Sequence, residues 1–322
     1  MHIFDRRYLR RPGGEKRRSI MSANSARRSV ITQRVEITGE TKDAAAAGVT
    51  RGNRIGLDAC SSDQLGLRAH LGMHLFNANF LGNPVSMRGV GSVSCYDPIV
   101  SPRRDSLVLI TSSPDNVVRR LVPRAADSGG GLPGLRVEAL DRSPGYTIGY
   151  RMVHLPTGGR LVVTLDEDGC FTDTLPALPD VRGTLNRCRT LVGDPTLDSA
   201  EEYVLDSLPA MSTDTQQLIA ALTVRLNARD PRRRWAIGSW SWDLLDRDRP
   251  DRRSRGHGEM RRLWRWGLAN RWELRWNGFP YPDDVAGALS DNVAGLPGAS
   301  VSGGGEEWEV TLGDARLDVR PW

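Results

Sequence analysis

In the segment Arg271-Trp272-Glu273-Leu274-Arg275-Trp276, apolar and charged side chains alternate without a break. Successive side chains of a strand point to opposite faces, so Trp272, Leu274 and Trp276 fall on one side and the charges on the other. Trp264, Trp266 and Leu268 repeat the pattern upstream, with Ala269-Asn270 as the candidate turn. Glu307-Trp308-Glu309-Val310-Thr311-Leu312 and Arg316-Leu317-Asp318-Val319-Arg320 repeat it downstream, joined by the hairpin dipeptide Gly313-Asp314. Pro282-Asp283 opens a helix with Val285, Leu289 and Val293 at four-residue spacing, closed by Gly295. All nine tryptophans lie at or beyond position 235, so the expectation for residues 232–322 is a distinct α+β domain. It has an antiparallel, Trp-rich sheet with one face covered by the helix.

A similar order occurs earlier. Leu107-Val108-Leu109-Ile110 is a short buried-strand signal. Ser113-Pro114-Asp115 is a helix entry with Val117, Val118 and Leu121 on one face. Alternation resumes at Leu135, and a hairpin then pairs residues 146–154 with 160–165 across Thr157-Gly158-Gly159. Both helices open Pro-Asp-x-Val, both place Leu four residues after that Val, and both are followed by Leu-Pro-Gly, at Leu132 and at Leu296. A second, similar βαβββ unit is one reading. Chance agreement of a few identities across unequal gaps is weighed slightly ahead of it.

Between and before these units the patterns differ. Residues 105–180 read as a small α+β unit and 181–231 as a helical connector with capping boxes at Ser199/Glu202 and Thr213/Gln216. Residues 59–104 are poorly defined, with one weak helix from Ser62 or Asp63 to about Phe76. Residues 1–58 show neither helical nor strand period, and a disordered basic N-terminus is expected there.

Charge is distributed unevenly. The formal total is +5, yet residues 1–34 hold ten basic and two acidic side chains, and residues 225–276 hold fifteen arginines against seven acids. Each segment is thus +8 and the remainder −11. Of 44 basic side chains only Lys16 and Lys42 are lysine, a bias toward G/C-rich codons that points to a GC-rich genome or mobile element. Four scattered cysteines are no disulfide framework, and no apolar core marks a secretory leader. The Arg- and Ser-rich start resembles an organelle transit peptide, but coding bias accounts for it better, and a reduced, cytoplasmic protein is expected. No window approaches the roughly 18 apolar residues of a membrane helix, and no membrane partner is expected.

Chemistry-bearing motifs are sparse. Cys60, His70, His74 and Cys95 are the sole candidate metal set. His70 and His74 share a helix face, but zinc cysteines usually come in close pairs and these are isolated. Asp166-Glu167-Asp168-Gly169 lacks both anchors of a calcium loop and reads as a turn. Ser239 lacks the second glycine of a nucleophile elbow, and no Walker-type Gly-Lys-Ser/Thr exists. His257 with Glu259 is a conceivable acid–base pair in what reads as a solvated loop. No cofactor is expected, and the reading leans away from an enzyme.

The constellation with a physical rationale is arginine interleaved with tryptophan. Guanidinium groups bind phosphate bidentately and aromatic faces stack on unpaired bases. The nucleic-acid candidates are Arg232, Arg233, Arg234, Arg252, Arg253, Arg261 and Arg262, together with Arg17, Arg18, Arg27 and Arg28 of the N-terminal arm. Against this, the alternation buries most tryptophans, the interleaved acids repel phosphate, and a polar loop beside a Trp core is the plainer account. The functional reading is therefore a non-enzymatic, nucleic-acid-associated accessory protein. Its alternatives are a protein–protein interaction module and a partly misread open reading frame.

Overall fold

The computed structural model describes residues 14–50, 52, 54–77, 93, 96, 98–123, 131–143, 146–165, 196–240, 259–265 and 270–322. It is an α+β arrangement with two five-stranded mixed sheets. The helices are α1 (Gly14–Thr38), α2 (Lys42–Gly48), α3 (Ser62–Leu75), α4 (Pro114–Leu121), α5 (Ser199–Ser207), α6 (Thr213–Val224) and α7 (Pro282–Ser290). The first sheet comprises β1 (Ile99–Arg103), β2 (Ser106–Ile110), β3 (Leu135–Ser143), β4 (Tyr146–His154) and β5 (Arg160–Thr164), in the order β1-β2-β5-β4-β3. The second comprises β6 (Glu259–Arg265), β7 (Arg271–Asn277), β8 (Ser300–Gly304), β9 (Glu307–Leu312) and β10 (Ala315–Pro321), in the order β6-β7-β10-β9-β8.

The two orders are the same. In both sheets one central pair is parallel, β2 with β5 and β7 with β10, and every other pair is antiparallel. The expected antiparallel Trp sheet is therefore mixed. A helix and two strands follow β7, and the next strand, β10, runs the same way as β7 and pairs beside it. Trp272 and Leu274 then lie level with Leu317 and Val319 on the buried face.

The likeness extends to single hydrogen bonds. Pro114 and Pro282 sit in the first turn of α4 and α7, where proline's missing N–H costs nothing. Val117 and Leu121 in α4, and Val285 and Leu289 in α7, are all buried. The Leu132 N–H donates to the Leu121 carbonyl (2.6 Å) and the Leu296 N–H to the Leu289 carbonyl (2.8 Å). Both Leu-Pro-Gly segments are turns closed at 3.1 Å, Leu135 to Leu132 and Ala299 to Leu296. Each has its glycine at positive φ (Gly134 +78°, Gly298 +83°), the pattern of a type II turn with Pro second and Gly third.

A preceding helix belongs to each unit, which the strand pattern alone did not disclose. α3 begins Ser61-Ser62-Asp63 with Leu67, Ala69 and Leu71 following; α6 begins Ser212-Thr213-Asp214 with Leu218, Ala220 and Leu222 at the same offsets. Both N-cap serines accept from the third helical N–H, that of Gln64 and that of Thr215. Asp63 packs against the β4–β5 turn at Gly158 and Gly159, and Asp214 accepts from the Asp314 N–H in the β9–β10 turn (3.2 Å). The repeated unit is thus helix, two strands, helix, three strands.

α3 and α6 pack directly on one another. A Cβ at Gly72 would lie 2.5 Å from the Thr223 Oγ1 and 2.7 Å from the Ile219 Cγ2, so only glycine allows this approach. Each helix is followed by an asparagine that seals the edge strand of the other unit. Asn77 donates to the Leu263 carbonyl (2.8 Å) and accepts its N–H (3.1 Å) on β6. Asn227 accepts the Val100 N–H of β1 (3.3 Å) and donates to the Thr38 carbonyl (2.9 Å). One continuous apolar core spans both units, from Leu67 and Leu109 to Trp272 and Val319.

Several local expectations shift. The α5 capping box is Asp198 with Glu201, and the α6 cap is Ser212, each one residue earlier than the Ser199/Glu202 and Thr213/Gln216 readings. α7 ends at Ser290 because the Asp291 carboxylate accepts the N–H groups of Val293 and Ala294 (both 2.9 Å), which leaves Val293 outside the helix. On β6 the core residue is Leu263, paired with Leu274, and Trp264 faces the other way, opposite Glu273; Trp266 and Leu268 lie outside the described residues.

The stretch expected to be a disordered arm is ordered where it is described. Arg34 is buried, bonded to both Glu40 oxygens (2.6 and 2.8 Å) and to the carbonyls of Ile55 (2.7 Å) and Pro102 (2.8 Å). One guanidinium thus ties α1 to β1, a role invisible to periodicity.

Replacing Gly72 with valine should cost about 1–3 kcal/mol, because the new methyls overpack the helix crossing. Urea unfolding followed by tryptophan fluorescence measures this, since Trp235, Trp240, Trp272 and Trp276 are all buried.

Candidate functional site

The outer face of the second sheet is an ordered array of charge. Cross-strand register places Arg262, Arg275 and Arg320 side by side on β6, β7 and β10. The adjacent row is Trp264, Glu273, Asp318 and Glu309, and beyond it Arg271 is level with Arg316. Like charges directly opposite are destabilising, so a row of three arginines needs a counter-charge. Glu273 supplies it, with its Oε1 accepting from both Arg275 (2.8 Å) and Arg320.

Depth decides what the solvent meets. The Glu273 side chain is 1% exposed, whereas Arg275 and Arg320 are 27% and 31% exposed. Asp318 is 16% exposed beneath an Arg271 that is 47% exposed and bonded to it at 2.8 and 3.2 Å. Glu273 and Asp318 thus lie beneath their arginines, whereas Glu309 (31% exposed) and Glu307 (77% exposed) meet Arg316 (4.0 Å) and Arg320 (3.9 Å) at the surface. At one side the rings of Trp264 and Trp322 stack, 6.4 Å apart and 19° from parallel. The Arg262 guanidinium lies over Trp264 at 4.3 Å, and that of Arg275 lies within 6 Å of both rings. Trp322 is 44% exposed.

The predicted nucleic-acid residues do not form one surface. Arg262 belongs to the array. Arg261, its neighbour, is buried and lies over the core ring of Trp240 at 5.7 Å. Arg232, Arg233 and Arg234 form an exposed turn folded around Asp230, whose carboxylate accepts the Arg232 N–H (3.0 Å) and the Arg234 Nε–H. Burial alone would raise the Asp230 carboxyl, but these bonds hold it below its ordinary value. Arg27 reaches the Ala46 carbonyl (3.0 Å) and Arg28 is exposed, both on α1. Arg17 and Arg18 are on the same helix, while Arg252 and Arg253 lie outside the described residues. Arg271, Arg275, Arg316 and Arg320 were not singled out from sequence, although strict alternation already placed them on the polar face.

The metal candidates separate. His70 and His74 are on α3, whereas Cys60 precedes its N-cap Ser61, and His70 is already about 12 Å along the axis from the first helical residue at 1.5 Å per residue. Cys95 lies outside the described residues, and among those described no group of three His, Cys, Asp or Glu side chains is placed to hold a metal ion. The histidines gather differently, with His154 of β4 edge-on to His70 (ring centroids 5.2 Å) and its Nδ1 2.9 Å from the Thr157 Oγ1. Burial, helped by His70, His74 and Arg136, pushes His154 well below 6.5 against a backbone contact from Pro133, and burial lowers His70 too. His257, of the conceivable acid–base pair, is not among the described residues.

No protein-family model, curated protein or solved structure matches this chain. Among the described residues no helix is long and apolar enough to cross a membrane.

The histidine pair gives a pH dependence with a definite sign. A base whose folded pKa is depressed binds fewer protons folded than unfolded, so stability rises with pH. The stability is full above about 6.5 and is lost progressively as pH falls below that value toward the lowered folded pKa. Urea midpoints should therefore drop between pH 7.5 and 5, and less so in His154→Asn, which can keep a bond to Thr157. Equal pH slopes in the two proteins would remove this assignment.

Proposed function

We propose that this is a non-enzymatic association protein that takes single-stranded nucleic acid on the outer face of its second sheet. The observation that supports this is the arginine row Arg262–Arg275–Arg320, set over the buried Glu273 and beside the Trp264–Trp322 stack. Cross-strand rules disfavour such a row, and sites that break local rules at a cost in stability are commonly functional ones. A basic sheet face carrying an exposed aromatic ring follows phosphates with its guanidiniums and stacks a base on the ring. The exposed turn at Arg232–Arg234 and the basic helix α1 add sequence-independent attraction.

The test is fluorescence anisotropy of a labelled 20-nucleotide single strand with the full chain across a salt series. Three phosphate contacts should give a log–log salt slope of about −2. Replacing Trp322 with alanine should weaken binding by about 1–3 kcal/mol, the worth of one stacked base. Arg262→Ala, which removes one of the three contacts, should lower both the affinity and the steepness of the slope. Binding that ignores salt, or that survives Trp322→Ala unchanged, would exclude this face, and absence of any binding would favour the protein-partner reading.

A further inference from the structure

On another part of the molecule a cleft of about 880 Å³ opens between the 54–62 segment, α3, α6 and the 291–297 segment. Its size suits a small-molecule ligand. Its walls are largely apolar, with Ile55, Leu57, Leu65 and Leu296 prominent, and Val293 stands half-exposed beside them.

The charges of the lining are unequal in their partners. Both acids already have partners. Asp58 is gripped through both oxygens by buried Arg225 (2.7 Å each), and Asp291 is bonded by Arg234 (2.7 Å) and by two backbone N–H groups. Of the two arginines in the lining, neither has an ion-pair partner among the described residues. Arg54 is exposed. Arg68 is buried, bonded only to the carbonyls of Leu57 (3.2 Å) and Arg103 (2.6 Å), and its Nε has no hydrogen-bond partner. The acid whose charge reaches Arg68, Asp58, has both oxygens bonded to Arg225, so this buried cation has no carboxylate of its own. The N-terminus of the fourteen-residue α3 is also here, with Ser61 and Ser62 in the lining and its dipole favouring negative charge. Burial lowers Arg68 from its ordinary value and raises the neighbouring Cys60 thiol, as a desolvated cleft floor should.

We infer that this cleft binds a small organic carboxylate with an apolar body, its anionic head at the α3 N-terminus beside Arg68 and its hydrocarbon part against Leu65 and Leu296. A single charge fits better than a phosphate dianion, because Asp58 and Asp291 also line the space. The reading is independent of nucleic-acid binding on the second sheet.

The experiment uses the full chain, three probes of one shape (4-phenylbutyrate, 4-phenylbutanol and 4-phenylbutylamine) and phenyl phosphate as a dianionic comparison. Thermal unfolding is followed by tryptophan fluorescence, and alkylation of Cys60 by iodoacetamide is followed by peptide mass spectrometry. Only the carboxylate should raise the Tm and slow Cys60 alkylation, both over the same concentration range. Gln217→Glu, a lining residue changed at constant shape, should weaken binding about tenfold by adding a negative charge. Arg54→Ala, an exposed change, should weaken it less and leave the unliganded Tm in place. Equal effects of alcohol, amine and acid would overturn the inference by showing an apolar hollow only. So would tighter binding of phenyl phosphate, full affinity in Gln217→Glu, or no effect of the acid at millimolar concentration.

Discussion

The contact between α3 and α6 is where the two repeats meet, and its closeness depends on a single missing side chain at Gly72. Because the helices touch there, Asn77 and Asn227 come within hydrogen-bond reach of strands in opposite units. Thr223 strengthens the crossing by donating to the Arg68 carbonyl (3.0 Å). The apolar core is continuous for the same reason: leucines of α3 and α6 pack between the buried faces of the two sheets rather than closing two separate interiors.

Buried arginines connect what this core does not. Arg34 ties α1 to β1, Arg225 joins the 58 and 294 segments, and Arg136 of β3 grips Glu201 of α5 through both oxygens (2.7 and 2.6 Å). Glu201 also completes the α5 capping box, so a single carboxylate positions a helix and neutralises a strand. Removing either partner of such a pair strands a desolvated charge, which typically costs about 3–5 kcal/mol. In a chain where nearly every basic residue is arginine, codon bias and structural use cannot be told apart by composition, and this is why Arg34 read as part of a solvated arm.

The strands of the second unit were legible because period-two alternation with tryptophan leaves few other structures open, and the shared Pro-Asp-x-Val and Leu-Pro-Gly segments are repeats in structure as well as in letters. The parallel pairing of β7 with β10 was not legible, since alternation reports a face and not a neighbour. The leading helices were legible as helices, α3 only weakly, but not as members of the repeat. In α3 the glycines that permit close packing, Gly66 and Gly72, are the residues that lower helix propensity, so tertiary need overrode local preference. For the candidate surface, sequence identified the arginine–tryptophan association but chose residues by local density. Register across strands, not density, brings Arg262, Arg275 and Arg320 together, and it turns Arg261 inward.

The reciprocal sealing of β6 by Asn77 and of β1 by Asn227 has a thermodynamic side. Unpaired sheet edges invite pairing with other chains. Here each half supplies the closure that the other lacks, so the encounter that two separate copies would reach only by diffusion is built into one polypeptide. Its strength is set by an effective concentration that the connecting chain determines, and not by how much protein a cell makes.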